Sequence, residues 1–366
     1  MAAMTVAAVV ERGQPFALLE AERPSPGPGE ILVRIKAAGI CHTDLAIRDM
    51  ELGTPLPMVL GHEGAGIVEA VGADVEGFAP GDRVALSYDS CGRCPVCAEG
   101  APQYCAEFAL RNISGLGPEM QPRLRLPDGR PLFASFFGQS SFAAFALSRP
   151  RNTVKLPDAL PFHLAAPLGC GMQTGAGAIL NTLAARPGQS LAVLGAGAVG
   201  LAAIMAARCA GMDPIVAVDR VPARLELAQE LGATHGLLSG DRLAADLAAI
   251  RPGFDAVLDT TGVPALVETG IAALGTRGTM LVLGISPPGA EARFALAGFL
   301  GGKRIVGLIE GDADPQVFVP HLAALHLEGR FPHDRLVETF PFAEINAAAH
   351  AMESGRTVKP VLLFPD

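Results

Sequence analysis

Four of the chain's seven cysteines fall within CGRCPVCAEGAPQYC, spaced Cys91-x2-Cys94-x2-Cys97-x7-Cys105. Four thiolates from one loop can close a tetrahedron around Zn2+, at roughly 2.3 Å each. Such a closed site has no position for a substrate, so its work is to hold a loop in shape. A disulfide framework suits a small secreted domain and a redox CxxC pair needs two isolated thiols, so zinc is the better account in a chain of 366 residues. Chemistry on a metal requires a different site, with three protein ligands and a vacancy, and those ligands need not be neighbours in sequence. AAGICHTDL offers Cys41, VLGHEGAG offers His62 and Glu63, and PLGCGMQTG offers Cys170, each beside glycine at an expected turn. Singly, each has a plain alternative: a lone cysteine is usually a small buried hydrophobe, and a lone histidine a hydrogen-bonded structural group. Cys209, in an alanine-rich stretch, exemplifies the plain case.

A second chemistry is legible in SLAVLGAGAVGLAAIMAARCAG, where Gly195-x-Gly197-x-x-Gly200 follows an apolar strand and opens a helix. The first glycine permits a tight turn, the second lets backbone approach a pyrophosphate, and the third lets helix and strand pack closely. The helix N-terminus then offers N–H groups to phosphate. Asp219 ends the next strand, PIVAVD, nineteen residues beyond Gly200. A carboxylate there accepts hydrogen bonds from ribose hydroxyls and repels a 2′-phosphate, which favours NAD over NADP. Its neighbour Arg220 pulls the other way.

These groups need scaffolds, and the length suggests two domains. With 50% hydrophobic and 18% charged residues the composition is that of a packed globular protein. A net charge of −9 without any basic run argues against nucleic acid and anionic membranes as partners. The start, MAAMTVAAVVERG, has no basic region before its apolar run, so it reads as a first strand and the expected location is cytoplasmic. Leu191 to Ala207 approaches membrane-spanning length, but it is built of Gly and Ala with a strand-turn-helix signature. Residues up to about 165 are rich in turn signals and short β-branched runs, as in a β-rich domain. From 168 short apolar strands alternate with Ala/Leu helices, the pattern of a doubly wound α/β domain with a parallel sheet. After about 310 that rhythm stops, and the tail is expected to rejoin the first domain.

GICHTDL, GHEGAGIV, GDRV, the four-cysteine lobe and LGCGMQTGAGA occur in that order across nearly the whole chain. In this the chain resembles the zinc-dependent medium-chain alcohol dehydrogenases, and SYDSCGRCPVC, FFGQSSFA and VKPVLLF look most like their bacterial benzyl-alcohol (aryl-alcohol) branch. The resemblance implies a GroES-like catalytic domain, 1–167 and 310–366, carrying the zinc lobe 91–105, and a Rossmann NAD-binding domain, 168–309. It implies two Zn2+ per chain: a structural one on Cys91, Cys94, Cys97 and Cys105, and a catalytic one on Cys41, His62 and Cys170, the Cys2His set of alcohol dehydrogenases. Glu63 matches the glutamate behind that zinc, and Asp44 the carboxylate that orients His62. Thr174 and Val199 are expected near the nicotinamide, and His42 and Lys359 near the pyrophosphate. Phe136, Phe137, Ile285 and Ile309 are expected to form an apolar slot for an aromatic or allylic primary alcohol.

The implied reaction passes hydride reversibly to NAD and gives the aldehyde, with Thr43 taking the hydroxyl proton. The family often continues that proton relay through a histidine at the position of Ala46, so proton release through cofactor ribose and water is expected here. The resemblance also suggests a homodimer or homotetramer paired through sheet edges, with Thr279 to Leu283 near the edge. Competing readings are an S-(hydroxymethyl)glutathione dehydrogenase, a zinc polyol dehydrogenase, and a zinc-binding protein that has lost catalysis.

Overall fold

The computed structural model describes residues 3–117 and 120–365. They divide into two compact units, the first from residues 1–170, 314–327 and 333–366, the second from 171–313 and 328–332. The second unit thus begins at Gly171, just after Cys170, and runs past the expected end at 309.

In the first unit a mainly antiparallel sheet has the strand order Thr153–Lys155, Arg83–Leu86, Glu63–Val71, Ile31–Gly39, Lys359–Leu363, Val337–Pro341, with Phe145–Ser148 also paired to Ile31–Gly39. Ile31–Gly39 is the central member because its apolar residues are buried almost throughout, Ile31, Val33 and Ile35 among them. Burying one such side chain is worth about 1.5–3 kcal/mol. A smaller antiparallel sheet, Ala17–Glu22, Ala3–Val9 and Met58–Val59, shares the core, which includes Val6, Met58, Leu60, Phe136 and Phe142. The tail returns because the apolar strand Lys359–Leu363 completes this sheet, pairing Val361 with Gly39. That pairing also brings Lys359 beneath the start of Glu63–Val71.

One ion pair in this unit is built for neutral pH. Glu30 is buried, with Arg123 Nη2 at 2.7 Å and Arg149 Nη2 at 3.8 Å. Burial pushes its carboxyl up, but Arg123, the Gly27 amide and Arg149 together outweigh burial and the net direction is down. A depressed carboxyl pKa contributes stability above the unfolded value of 4.5 and loses it as pH falls through the folded value. Arg123→Gln is therefore expected to cost about 2 kcal/mol at pH 7. The gap to wild type should close in urea unfolding below pH 4; an equal gap at both pH values would refute the assignment.

The second unit holds an all-parallel sheet in the order His235–Leu238, Ile215–Asp219, Leu191–Leu194, Phe254–Asp259, Leu274–Val282, Arg304–Gly307. The two strands Leu191–Leu194 and Ile215–Asp219 are buried at every residue, as expected of a parallel sheet covered on both faces. This is the doubly wound order whose ligands bind at the carboxyl ends of the strands, where strand order reverses. One edge of the sheet is Arg304–Gly307 and the other His235–Leu238; the strand holding Thr279 lies one position in from the first. Among the described residues, no helix is long and apolar enough to cross a membrane.

Candidate active site

CHTD folds as a helix start. The helix His42–Asp49 begins directly after Cys41, and Asp44 folds back so that Oδ2 accepts the Cys41 amide at 2.9 Å. The other oxygen, Oδ1, accepts from the Gly61 amide at 3.0 Å and from His62 Nδ1 at 2.9 Å. Asp44 and His62 are both fully buried. This fixes the tautomer: Nδ1 carries the proton, and Nε2 is left as a buried nitrogen without a hydrogen-bond partner. Cys170 follows the turn Ala166–Gly169, whose last carbonyl accepts from Ser87 Oγ at 2.6 Å. Cys41, His62, Glu63 and Cys170 then each offer a ligand atom, all within 4.8 Å of one another.

The chemistry of this set fits a cation. Hydrogen bonding from the Cys170 thiol, acting against burial, together with His62 holds Cys41 well below the ordinary thiol range. A thiolate beside a lone imidazole nitrogen, both out of water, is a donor set for a soft divalent metal. Thr43 is half-buried, with Oγ1 3.7 Å from Cys41 Sγ. Glu63 is the fourth member of the cluster, and burial pushes its carboxyl up to about 7 despite Lys359. Gly39 makes room for it, since a Cβ at that position would lie 2.1 Å from Glu63 Oε2.

Lys359, expected near the pyrophosphate, is buried beside Glu63. It is 1% exposed, and Nζ donates to both oxygens of Glu63 at 2.9 Å and to the Ile40 carbonyl at 3.1 Å. Burial alone would lower the pKa of the ammonium, but Glu63 outweighs it and the direction is up. Its three protons are directed at Glu63 and the Ile40 carbonyl within the first unit, so the ammonium neutralises Glu63. His42, expected at the same phosphate, is exposed at the first helical position.

Phe136 and Phe137, expected around an apolar slot, are 0% and 5% exposed. Phe137 lies over the His62 ring at 4.5 Å and 27°, and Phe136 meets it edge-on at 5.4 Å. Their faces are taken by the histidine and by each other, because large rings in a tight buried loop gain most from stacking. Ile285 and Ile309 belong to the second unit, where Ile285 is 52% exposed and Ile309 half-buried. Gln139 is a residue that pattern reading misses. Its amide donates to the carbonyls of His62 and Ser87 and accepts from the Gly64 amide at 3.1 Å, which pins the histidine's backbone. An uncharged amide within FFGQSS carries no sequence signal of this role.

Cys91, Cys94, Cys97 and Cys105 form the other cluster, again with ligand atoms within 4.8 Å of one another. None is in a disulfide. Backbone amides point at the sulfurs: Cys91 N to Cys105 Sγ at 3.2 Å, Cys94 N to Cys91 Sγ at 3.3 Å, and Glu107 N to Cys105 Sγ at 3.4 Å. The Ala106 amide brings Cys94 down to about 6, whereas burial and the neighbouring Cys94 hold Cys97 up to about 12. Thiols this close cannot all deprotonate without a cation among them. Cys209 stands apart, donating to the Arg330 carbonyl at 3.3 Å.

In the second unit the glycine turn joins Leu191–Leu194 to the helix Ala198–Cys209. Gly195 has φ +99°, and a Cβ on Gly200 would lie 1.9 Å from the Gly195 carbonyl oxygen. A Cβ on Gly197 would meet no protein atom within 4 Å, so that backbone is open to a ligand. Asp219 is buried and braces the turn, accepting from Ala196 N at 2.8 Å and Val221 N at 2.9 Å. Each of its oxygens retains acceptor capacity for a ribose hydroxyl. Arg220 is exposed, while Thr174 and Val199 are half-buried on helices in close contact.

A β-rich unit with two thiol-rich donor clusters and a doubly wound unit with a glycine turn define a metal-dependent dehydrogenase. Residues 27–158 match the alcohol dehydrogenase GroES-like domain, and residues 198–325 the zinc-binding dehydrogenase domain. Geraniol dehydrogenase of Castellaniella defragrans is 44% identical over 96% of this chain and 95% of its own. An alcohol dehydrogenase zinc-binding domain protein from Burkholderia ambifaria superposes with TM-score 0.97 at 49% identity, and benzyl alcohol dehydrogenase from Acinetobacter calcoaceticus with 0.95 at 43%; both comparisons cover all of each chain. The chain belongs to the zinc-dependent medium-chain alcohol dehydrogenases, and it is an alcohol dehydrogenase acting on a small-molecule alcohol.

Proposed function

We propose that the chain oxidises primary alcohols with an allylic or benzylic carbon to their aldehydes, reversibly, with NAD as hydride acceptor. The observation that carries the metal half is the buried, partnerless Nε2 of His62 set among Cys41, Cys170 and Glu63. Cys41, His62 and Cys170 would hold the catalytic zinc, and Cys91, Cys94, Cys97 and Cys105 a structural one. A bound zinc supplies Lewis acidity that favours loss of the alcohol's proton. Asp44 keeps His62 in the tautomer that presents Nε2, and Thr43 Oγ1 is the acceptor for the substrate's hydroxyl proton. Lys359 balances Glu63, so the cluster is not left with an uncompensated buried carboxylate. Ala46 at the relay position cannot carry the proton onward, so a bound cofactor's ribose and water would have to supply that exit. Asp219, braced against the glycine turn, supports NAD over NADP.

The substrate class rests on the relatives named for geraniol and benzyl alcohol, which share a carbon next to an unsaturated group. Initial rates with geraniol, cinnamyl alcohol, benzyl alcohol, ethanol and sorbitol, each under NAD and NADP, test it. The unsaturated alcohols are expected to exceed ethanol in kcat/KM by about 100-fold, since each buried methylene is worth roughly 0.8 kcal/mol. Best turnover of sorbitol, or of formaldehyde only with glutathione, would overturn the substrate assignment, and preference for NADP the cofactor assignment. Homo-oligomerisation through the Arg304–Gly307 edge, with Leu296, Leu300 and Ile305 exposed nearby in sequence, belongs to the same reading.

A further inference from the structure

The four-cysteine lobe and the His62 cluster share no ligand, yet a run of aromatic rings joins them within the first unit. Phe108 opens the helix Phe108–Asn112 three residues after the lobe's last cysteine, and its amide donates to the Cys105 carbonyl at 2.8 Å. The same helix is tied down at its far end: Arg111 Nη1 bonds Asp89 Oδ2 at 2.9 Å, and Asn112 bonds both the Asp89 amide and its carbonyl. The Phe108 ring meets Phe137 edge-on at 6.1 Å and 89°, and Phe137 lies flat on His62. Phe137 holds this pose with φ +49° and ψ +34°, a left-handed conformation that is unfavourable for a bulky side chain. Asn152 Nδ2 bonds the Phe137 and Gly138 carbonyls at 3.3 Å, so the pose is imposed by the surroundings.

The bond from His62 Nδ1 to Asp44 fixes the tautomer but leaves the ring free to rock about that bond. A metal requires the Nε2 lone pair to stay in one direction, so something has to hold the ring plane. Phe137 covers one face of the ring and Phe136 abuts it edge-on.

We propose that Phe108 and Phe137 form a strut through which the four-cysteine lobe sets the plane of the His62 ring and thereby the grip of the catalytic cluster on its metal. These are positioning residues, and the inference rests on the proposed assignment of Cys41, His62 and Cys170 to that metal. Outer contacts of this kind are worth about 10-fold or more in metal retention.

The test uses the full-length, zinc-loaded protein and follows metal release to a chromogenic chelator. The catalytic phase is identified as the one absent from Cys170→Ala. Phe108→Ala is expected to speed that phase about 10-fold, and Phe108→Tyr, which keeps the ring, to restore it. Phe137→Leu, which keeps bulk without a flat face, should act in the same direction and serves if Phe108→Ala does not fold. Release unchanged in both variants, with or without a lower melting temperature, overturns the strut alone. A wild type holding only the lobe metal overturns the catalytic-cluster assignment and the strut with it.

Discussion

Cys170→Ala should lower kcat/KM for alcohol oxidation by about a thousandfold or more, which corresponds to about 4 kcal/mol of the several that a Lewis-acid metal supplies. Metal content should fall from about two to about one per chain, because a Cys2His set reduced to two ligands no longer fills its coordination. The fold should survive, since Cys170 sits at the end of a turn anchored by the bond from Ser87 to Gly169 and contributes little apolar area of its own. The lobe variant Cys94→Ser is the counterpart. It should also lose one metal per chain, but its first symptom should be a lower melting temperature, because that lobe is a closed set of thiols braced by backbone amides. Metal analysis and steady-state kinetics on the two variants separate the roles. Cys170→Ala retaining both metals, or keeping activity within tenfold of wild type, would refute the catalytic assignment.

Much of this was legible in the sequence because it is carried by residue type at short range. The CHTD stretch contains a proposed metal ligand, its helix start and the aspartate whose side chain accepts the Cys41 amide. The six-residue glycine turn contains its own steric logic, from the φ of Gly195 to the contact at Gly200. The alternation of strand and helix from residue 168 onward marks a parallel sheet because its strands are buried on both faces. What the sequence hid depends on pairing between distant segments. Lys359 reads only as a residue near the cofactor's pyrophosphate, and its bond to Glu63 emerges when Lys359–Leu363 is laid against Ile31–Gly39. The resemblance places Phe136 and Phe137 around a substrate slot, but residue type does not report which neighbours their rings pack against, here His62 and each other. The left-handed backbone of Phe137 has no sequence signature at all, for glycine is the residue that advertises such a conformation. Gln139 is silent for a related reason: three hydrogen bonds to backbone leave no mark on residue type.

Lys359→Met tests the bond between the buried lysine and Glu63. It leaves the Glu63 carboxylate buried with no cation, and breaking one side of a buried pair typically costs about 3–5 kcal/mol. The chain has no tryptophan, and its two tyrosines, Tyr88 and Tyr104, both lie in the first unit. Tyrosine emission in a urea titration therefore reports the unit that contains the pair. The midpoint should drop sharply in Lys359→Met and recover in part when Glu63→Gln is added, because the second change removes the orphaned charge. The recovery should be about 2 kcal/mol of coupling, within the range for residues in one network. If Lys359 instead served the cofactor's pyrophosphate, Lys359→Met would weaken NADH binding with the urea midpoint unchanged, and Glu63→Gln would do nothing to rescue it. The two outcomes diverge because one locates the ammonium's partner among buried protein atoms and the other in a ligand that is absent during unfolding.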